Sequence, residues 1–278
     1  MTGWFDRVAE ADPVELLCLR APNPGPMTLD GTNTYVLRDG AQSWVVDPGP
    51  RDIGHLTAIL RACGLPGPAA PQAVIVTHRH ADHAEAAGTL VRQLRQRTGA
   101  PVELYASDPT AVPGARVPPA ELIGERGTVA HVLHLPGHTA DSLALLVEGG
   151  RLLSGDTLLG GSSTTIVPPD GSLTDLLASL EVLQAMSMDG RIAGIHPGHG
   201  EPIESPHEAR DAIDEALAHR RERIEQVRAA RAEGLLTMDR LVRRLHGDTL
   251  PPELREAAEW NILAAITHLR EEGGGPRD

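Results

Sequence analysis

The chain has 278 residues, 41% of them hydrophobic and 23% charged, with a formal net charge of -13. That length supports one sizeable core plus an appendage, and the negative field opposes nonspecific binding to nucleic-acid backbones. Aromatic residues make up 2%, so stacking platforms for single strands are not evident, and two distant cysteines, Cys18 and Cys63, provide neither a disulfide framework nor a cysteine metal motif, which fits a cytoplasmic setting.

In chain order, Met1 to Pro13 is acidic and lacks the apolar segment of a secretory signal. From about Val14 to Ile203, short strands alternate with helices and Gly/Pro loops, an α/β pattern. Gly31 to Tyr35 reads as a strand, as does the run ending at Val45-Val46 before Asp47-Pro48-Gly49. The apolar run Ala73 to Val76 reads as a buried strand. A helix near Ala84 to Arg97 buries Leu90, Val91 and Leu94 and stops at Gly99. A second helix starts at Ser172, with Asp175 in a variant capping box, and buries Leu173, Leu176, Leu177, Leu180 and Leu183. After Glu204 the character changes. Ser205-Pro206-His207-Glu208 is a helix start with a capping box and proline in the first turn. That helix runs to about Glu233, and helical segments from Thr237 to His246 and Pro252 to Glu272 precede the glycine tail. No segment approaches the ~20 apolar residues that a membrane span needs.

The densest chemistry is Thr77-His78-Arg79-His80-Ala81-Asp82-His83, where a buried strand opens into a loop. In extended backbone, residues two apart face the same way, so His78 and His80 converge on one ion, while Asp82 and His83 face a neighbour. Three further segments bring single ligands beside glycine or proline: Pro136-Gly137-His138-Thr139, Ser154-Gly155-Asp156-Thr157 and His196-Pro197-Gly198-His199. His78, His80 and His138 complete one site if water takes the last position, the arrangement of a catalytic zinc. Asp82, His83 and His199 hold a second ion, and Asp156 bridges the pair.

These motifs run T-H-x-H-x-D-H, G-H-T, G-D and G-H-G in order, and on them the chain resembles the metallo-β-lactamase superfamily of binuclear hydrolases. It looks closest to the branch shared by glyoxalase II relatives and the β-lactamase-like proteins with a small helical C-terminal domain, some of them endoribonucleases. The resemblance implies a four-layer αββα sandwich with the ions at one edge. It further implies a hydrolase domain over residues 1–204 and a helical, winged-helix-like domain over 205–278. The best-known zinc β-lactamases place a cysteine where Asp156 stands, so antibiotic hydrolysis is not expected. Two divalent ions are expected, zinc first, with Mn or Fe competing at so oxygen-rich a site.

Other residues admit two readings. Asp47 either holds a ligand histidine by its second ring nitrogen or initiates a turn before Pro48-Gly49. His196 either lines the pocket or ends a strand. Asn33 and Tyr35 either polarise a substrate oxygen or serve a β-strand. His219-Arg220 sits at the His-Arg position of the endoribonuclease relatives and is a candidate substrate contact. Yet Arg220, Arg221, Arg223, Arg228 and Arg231 interleave with Asp211, Asp214, Glu215, Glu222, Glu225 and Glu233, the pattern of a solvated helix with i,i+4 pairs.

The expected activity is hydrolysis of a small ester or thioester by a metal-bound hydroxide, with Asp82 orienting the hydroxide and Asp156 bridging the ions. The alternatives are cleavage of single-stranded RNA and a non-catalytic metal-binding module. Oligomeric state is not legible in the sequence.

Overall fold

The computed structural model describes residues 14–273; Met1 to Pro13 and the tail from Gly274 lie outside the described residues. The first half forms β1 (Glu15–Arg20), β2 (Asn33–Asp39), β3 (Gln42–Val46), α1 (Ile53–Ala62), β4 (Ala70–Val76), α2 (Ala81–Ala84), α3 (Ala87–Thr98) and β5 (Glu103–Ala106). The second half forms β6 (Glu121–Gly124), β7 (Gly127–His134), β8 (Leu143–Val147), β9 (Arg151–Gly155), α4 (Leu173–Met188) and β10 (Gly194–Pro197), then α5 (Pro206–Ala232), α6 (Met238–His246) and α7 (Arg255–Glu272).

The strands make two mixed five-stranded sheets, ordered β1-β2-β3-β4-β5 and β10-β9-β8-β7-β6. Side chains alternate across each strand, and here both faces of the central strands are covered. In β4, Val74 and Val76 pack with Leu56, Ile59, Leu90 and Leu94 of α1 and α3. Ala73 and Ile75, pointing the other way, meet Leu143, Leu145 and Leu153 of the second sheet. In β8 the alternate residues Ala144 and Leu146 face Leu176 and Leu180 of α4. Helix, sheet, sheet and helix therefore stack as four layers, which is why β4 and β8 read as unbroken apolar runs.

The helix ends follow local chemistry. Ser172 and Ser205 accept from the backbone N–H of Asp175 and Glu208, and α3 ends on left-handed Gly99. One detail departs from the sequence reading: Leu177 is only half-buried, and Ser179 turns inward on α4 to donate to the Pro136 carbonyl at 2.7 Å.

Beyond β10 the described residues contain helices and no strand. Ile213, Leu217 and Ile224 of α5, Leu241 of α6 and Ile262 and Ile266 of α7 share one apolar cluster with Leu146 and Leu152 of the second sheet. A region of that size needs such shared burial to be stable. The arginines of α5 pair mainly between helices: Arg221 with Glu181 of α4 and Arg228 with Glu272 of α7, both at 2.8 Å. Among the described residues no helix is long and apolar enough to cross a membrane.

Candidate metal centre

Four loops at one edge of the sandwich deliver the side chains. β4 leads into His78, His80, Asp82 and His83; β7 leads towards His138; β9 and β10 end just before Asp156 and His199. Main-chain bonds tie these loops together across the two sheets. Leu143 N–H donates to the Thr77 carbonyl at 2.9 Å, Gly198 N–H to Gly155 at 2.8 Å, and Asn33 N–H to Gly198 at 2.7 Å. A Cβ on Gly198 would overlap Asp156 Oδ1 and lie 2.8 Å from His83 Cε1. Only a residue without a side chain lets that loop approach so closely.

Two groups of ligand atoms result. His80 Nδ1 lies 3.0 Å from both His78 Nε2 and His138 Nε2. In the other group, His83 Nε2 is 3.2 Å from His199 Nε2, and Asp82 Oδ2 is 3.2 and 3.1 Å from those two atoms. Asp156 faces both groups, with Oδ2 at 3.7 Å from His138 Nε2 and 3.4 Å from His199 Nε2, and Oδ1 at 3.5 Å from His83 Nε2. Asp156 Oδ1 is buried with no hydrogen-bond partner.

The second ring nitrogens decide what these atoms can do. His83 Nδ1 donates to Asp47 Oδ2 at 2.8 Å, His138 Nδ1 to the Thr165 carbonyl at 2.8 Å and His199 Nδ1 to the Gly31 carbonyl at 3.1 Å. The Thr77 hydroxyl gives its hydrogen to Asp47 Oδ2, so it accepts from His78 Nδ1 at 3.1 Å. Each of these four imidazoles therefore turns Nε2 inward, where His78 and His138 offer a lone pair and His83 and His199 carry a proton that a cation would replace. Ring nitrogens crowded this closely, beside an unpartnered carboxylate oxygen, could hold a cation. Nitrogens bound at about 2.0–2.1 Å to a tetrahedral zinc lie about 3.3 Å apart, close to the spacing observed. The residues present fit a pair of divalent ions.

Electrostatics agree with that fit. Burial pushes His78 well below its usual range and His138 down to about 4, so both stand as neutral ligands. Burial also opposes charge on His83 and His199, but Asp156 with Asp47 overrides it at the first and Asp156 with Asp82 at the second; His199 rises to about 9. For Asp82 and Asp156, burial favours the neutral acid, yet the neighbouring imidazoles win and hold both carboxyls far below the ordinary range. His80 and Asp82 are only half-buried, so the cluster opens to solvent on their side.

Asp47 holds the second ring nitrogen of His83. It adopts φ +52° and bonds Thr77 N–H through Oδ1 at 2.7 Å while Oδ2 meets His83. Asn33 and Tyr35 take another place than a substrate cleft. Asn33 Nδ2 donates to the carbonyls of Pro197 and Gly200 at 3.0 and 2.8 Å, and Tyr35 OH donates to Pro197 at 2.8 Å. Both brace the loop that carries His199, and that leaves neither amide hydrogen of Asn33 for a substrate oxygen. His196 turns away, packed edge-on against Tyr35 at 5.9 Å.

His219 is exposed beside Ser163 and lines a cavity of about 450 Å³ between α5 and the loop after Asp156, with Leu158, Ile195, Ile203 and Ala216. Arg220, by contrast, is buried, bonded to the Thr164 carbonyl and to Asn261. A buried side chain of this kind offers nothing to a strand of RNA. Sequence reasoning missed Thr32, whose hydroxyl donates to Asp82 Oδ2 at 3.2 Å. It also missed the Thr164-Thr165 loop behind His138, since no motif marks either. Arg79 turns outward to a rim of Asp141 at 3.1 Å, Asp170 at 3.2 Å and Asp108 at 3.8 Å.

Known proteins resemble this chain along most of its length. Over 265 residues the chain is 30% identical to a beta-lactamase-like protein 2 homolog of Drosophila melanogaster, covering 90% of this chain and 86% of that one. It is 27% identical over 267 residues to an atrochrysone carboxyl ACP thioesterase of Cryptosporiopsis sp., covering 91% and 78%. The fold superposes on a beta-lactamase domain protein from Burkholderia ambifaria with a TM-score of 0.73 at 24% identity, covering 93% and 86%. The model of the metallo-beta-lactamase superfamily matches residues 27–231, past the start of α5. The chain belongs to the metallo-beta-lactamase superfamily and is a hydrolase of that family.

Proposed function

We propose that this protein hydrolyses a small thioester or ester with two divalent cations, zinc foremost. His78, His80 and His138 would hold one and Asp82, His83 and His199 the other, with Asp156 facing both groups. The observation that carries the reading is the convergence of Nε2 atoms from four histidines whose Nδ1 atoms are all engaged elsewhere. Such cations supply Lewis acidity and lower the pKa of water from about 15.7 towards 7. Asp82, steadied by Thr32, orients the attacking water from the open side of the site. That opening favours catalysis over a closed structural site.

Two observations favour an acyl substrate over RNA. Relatives of this chain carry thioesterase names. Four of the six arginines of α5, Arg220, Arg221, Arg223 and Arg228, are engaged by Glu181, Glu225, Glu272, Asn261 and carbonyl oxygens, and the rim beside His80 carries Asp108, Asp141 and Asp170 around a single arginine. Those four guanidinium groups are not free for a phosphate backbone.

The test is metal analysis followed by a panel of an acyl thioester, an activated phosphodiester and a short unstructured RNA. Thioester turnover by protein holding two ions per chain is expected, and His80→Ala loses metal and turnover together. Full activity of a metal-free His80→Ala variant refutes the mechanism. RNA cleavage that collapses with added salt, with no thioester turnover, replaces the substrate class.

A further inference from the structure

The geometry assigns to Arg220 and Asn261, in the helical region, the positioning of His138 for metal binding. This rests on the two-ion reading above and adds the residues that keep one of the two sites in shape.

His138 is held from behind by the segment Thr164 to Ile166. Thr165 offers its carbonyl to Nδ1 at 2.8 Å, and the Thr164 hydroxyl lies 2.9 Å from the same nitrogen. A carbonyl can only accept, so the proton stays on Nδ1 and the Nε2 lone pair is left for the ion. The segment itself belongs to no strand or helix, so no ladder of main-chain bonds fixes it.

Two side chains from α5 and α7 hold it instead. Arg220 donates through Nη2 to the Thr164 carbonyl and through Nη1 to Asn261 Oδ1 at 3.2 Å. The same Oδ1 accepts the Ile166 N–H at 3.2 Å. The segment is thus gripped on both sides of Thr165, the residue that faces His138.

A buried guanidinium normally sits against a carboxylate, because taking an unpaired charge out of water is costly. Arg220 is 5% exposed, its bonds run to a carbonyl and a carboxamide, and no ion pair found among the described residues includes it. Burial lowers its pKa only to about 10, so it stays charged at neutral pH. A fixed fork of donors aimed at neutral oxygens orients them; it does not neutralise anything. Arg220 reaches the metal centre only through Thr164, Thr165 and His138, which makes it a positioning residue. The helical region then has a task at the centre beyond covering the sheet.

The consequence is selective. Loosening Thr164 to Ile166 disturbs the group of His78, His80 and His138 and leaves untouched the supports of the other group, Asp47 and the Gly31 carbonyl. The experiment is zinc titration of full-length wild type, Arg220→Met, Arg220→Lys and Asn261→Ala against a chromogenic chelator, with circular dichroism on each. In Arg220→Met, one of the two ions should weaken by about 10- to 100-fold, the usual effect of losing a ligand's support, while the other keeps its affinity. Arg220→Lys, which retains a charged donor, should recover part of the loss, and Asn261→Ala should weaken the same ion.

Two wild-type-like affinities in folded Arg220→Met overturn the assignment, as does equal weakening of both ions. If Arg220→Met does not fold, Asn261→Ala decides by the same two criteria. Wild-type protein that binds no zinc instead sinks the two-ion reading itself, so the two failures are distinguishable.

Discussion

Asp47→Asn is the sharpest probe of how the two groups of candidate ligands are prepared. Asp47 Oδ1 accepts from Thr77 N–H at 2.7 Å, while Oδ2 accepts from the Thr77 hydroxyl at 2.7 Å and from His83 Nδ1 at 2.8 Å. Asparagine keeps the size of the side chain and tolerates φ +52° as aspartate does. With Oδ1 still on Thr77 N–H, the amide group now points two hydrogens at partners that were donors. The cheapest escape is for His83 to move its proton to Nε2 and accept at Nδ1, which removes the lone pair the ion needs. Losing such a partner weakens metal binding by about 10- to 100-fold, or about 1.4 to 2.7 kcal/mol. Titration against a chelator should show both ions weakened in Asp47→Asn, since the Thr77 hydroxyl, faced with an amide donor, turns its hydrogen to His78 Nδ1 in the first group, whereas Arg220→Met weakens one ion alone. An Asp47→Asn variant in which one ion keeps wild-type affinity refutes the link from Asp47 through Thr77 to His78. Wild-type affinity in Asp47→Asn refutes the tautomer argument.

Two further outcomes follow from the same geometry. Gly198→Ala places a methyl group onto Asp156 Oδ1 and against His83; overpacking of this kind costs about 1–3 kcal/mol. Thermal unfolding should show that loss together with reduced affinity for both ions, because Asp156 faces both. Unchanged metal content would contradict the bridging position. In metal-free protein, His199 is raised from 6.5 to about 9, so its proton contributes stability that is complete below pH 6.5 and fades as pH climbs through about 9. A cation must displace that proton. Calorimetry in buffers of different ionisation enthalpy should therefore detect proton release at pH 7, with apparent affinity rising about tenfold per pH unit for each proton displaced and levelling above pH 9. Binding without proton release at pH 7 would show that His199 is already neutral.

Much of this protein was legible in order of residue. The serines at 172 and 205 start helices because their hydroxyls reach an N–H three residues on, and the four ligand motifs stand beside glycine and proline at strand ends. Periodicity settled on α/β and stopped there; it was the motif resemblance that supplied the sandwich. Interactions within one helical turn, or within a loop of a few residues, are encoded where they act. What only the folded chain decided is which distant groups meet. Asp47 holds His83, Asn33 braces the His199 loop, Arg220 grips the loop behind His138, and Gly198 makes room for Asp156. The first follows from β3 lying beside β4, and the others from the meeting of the two sheets' loops and from α5 and α7 packing against the second sheet and α4. Hydrogen-bond partners 26 to 167 residues apart leave no local periodicity, because neither partner shapes the backbone near its own position.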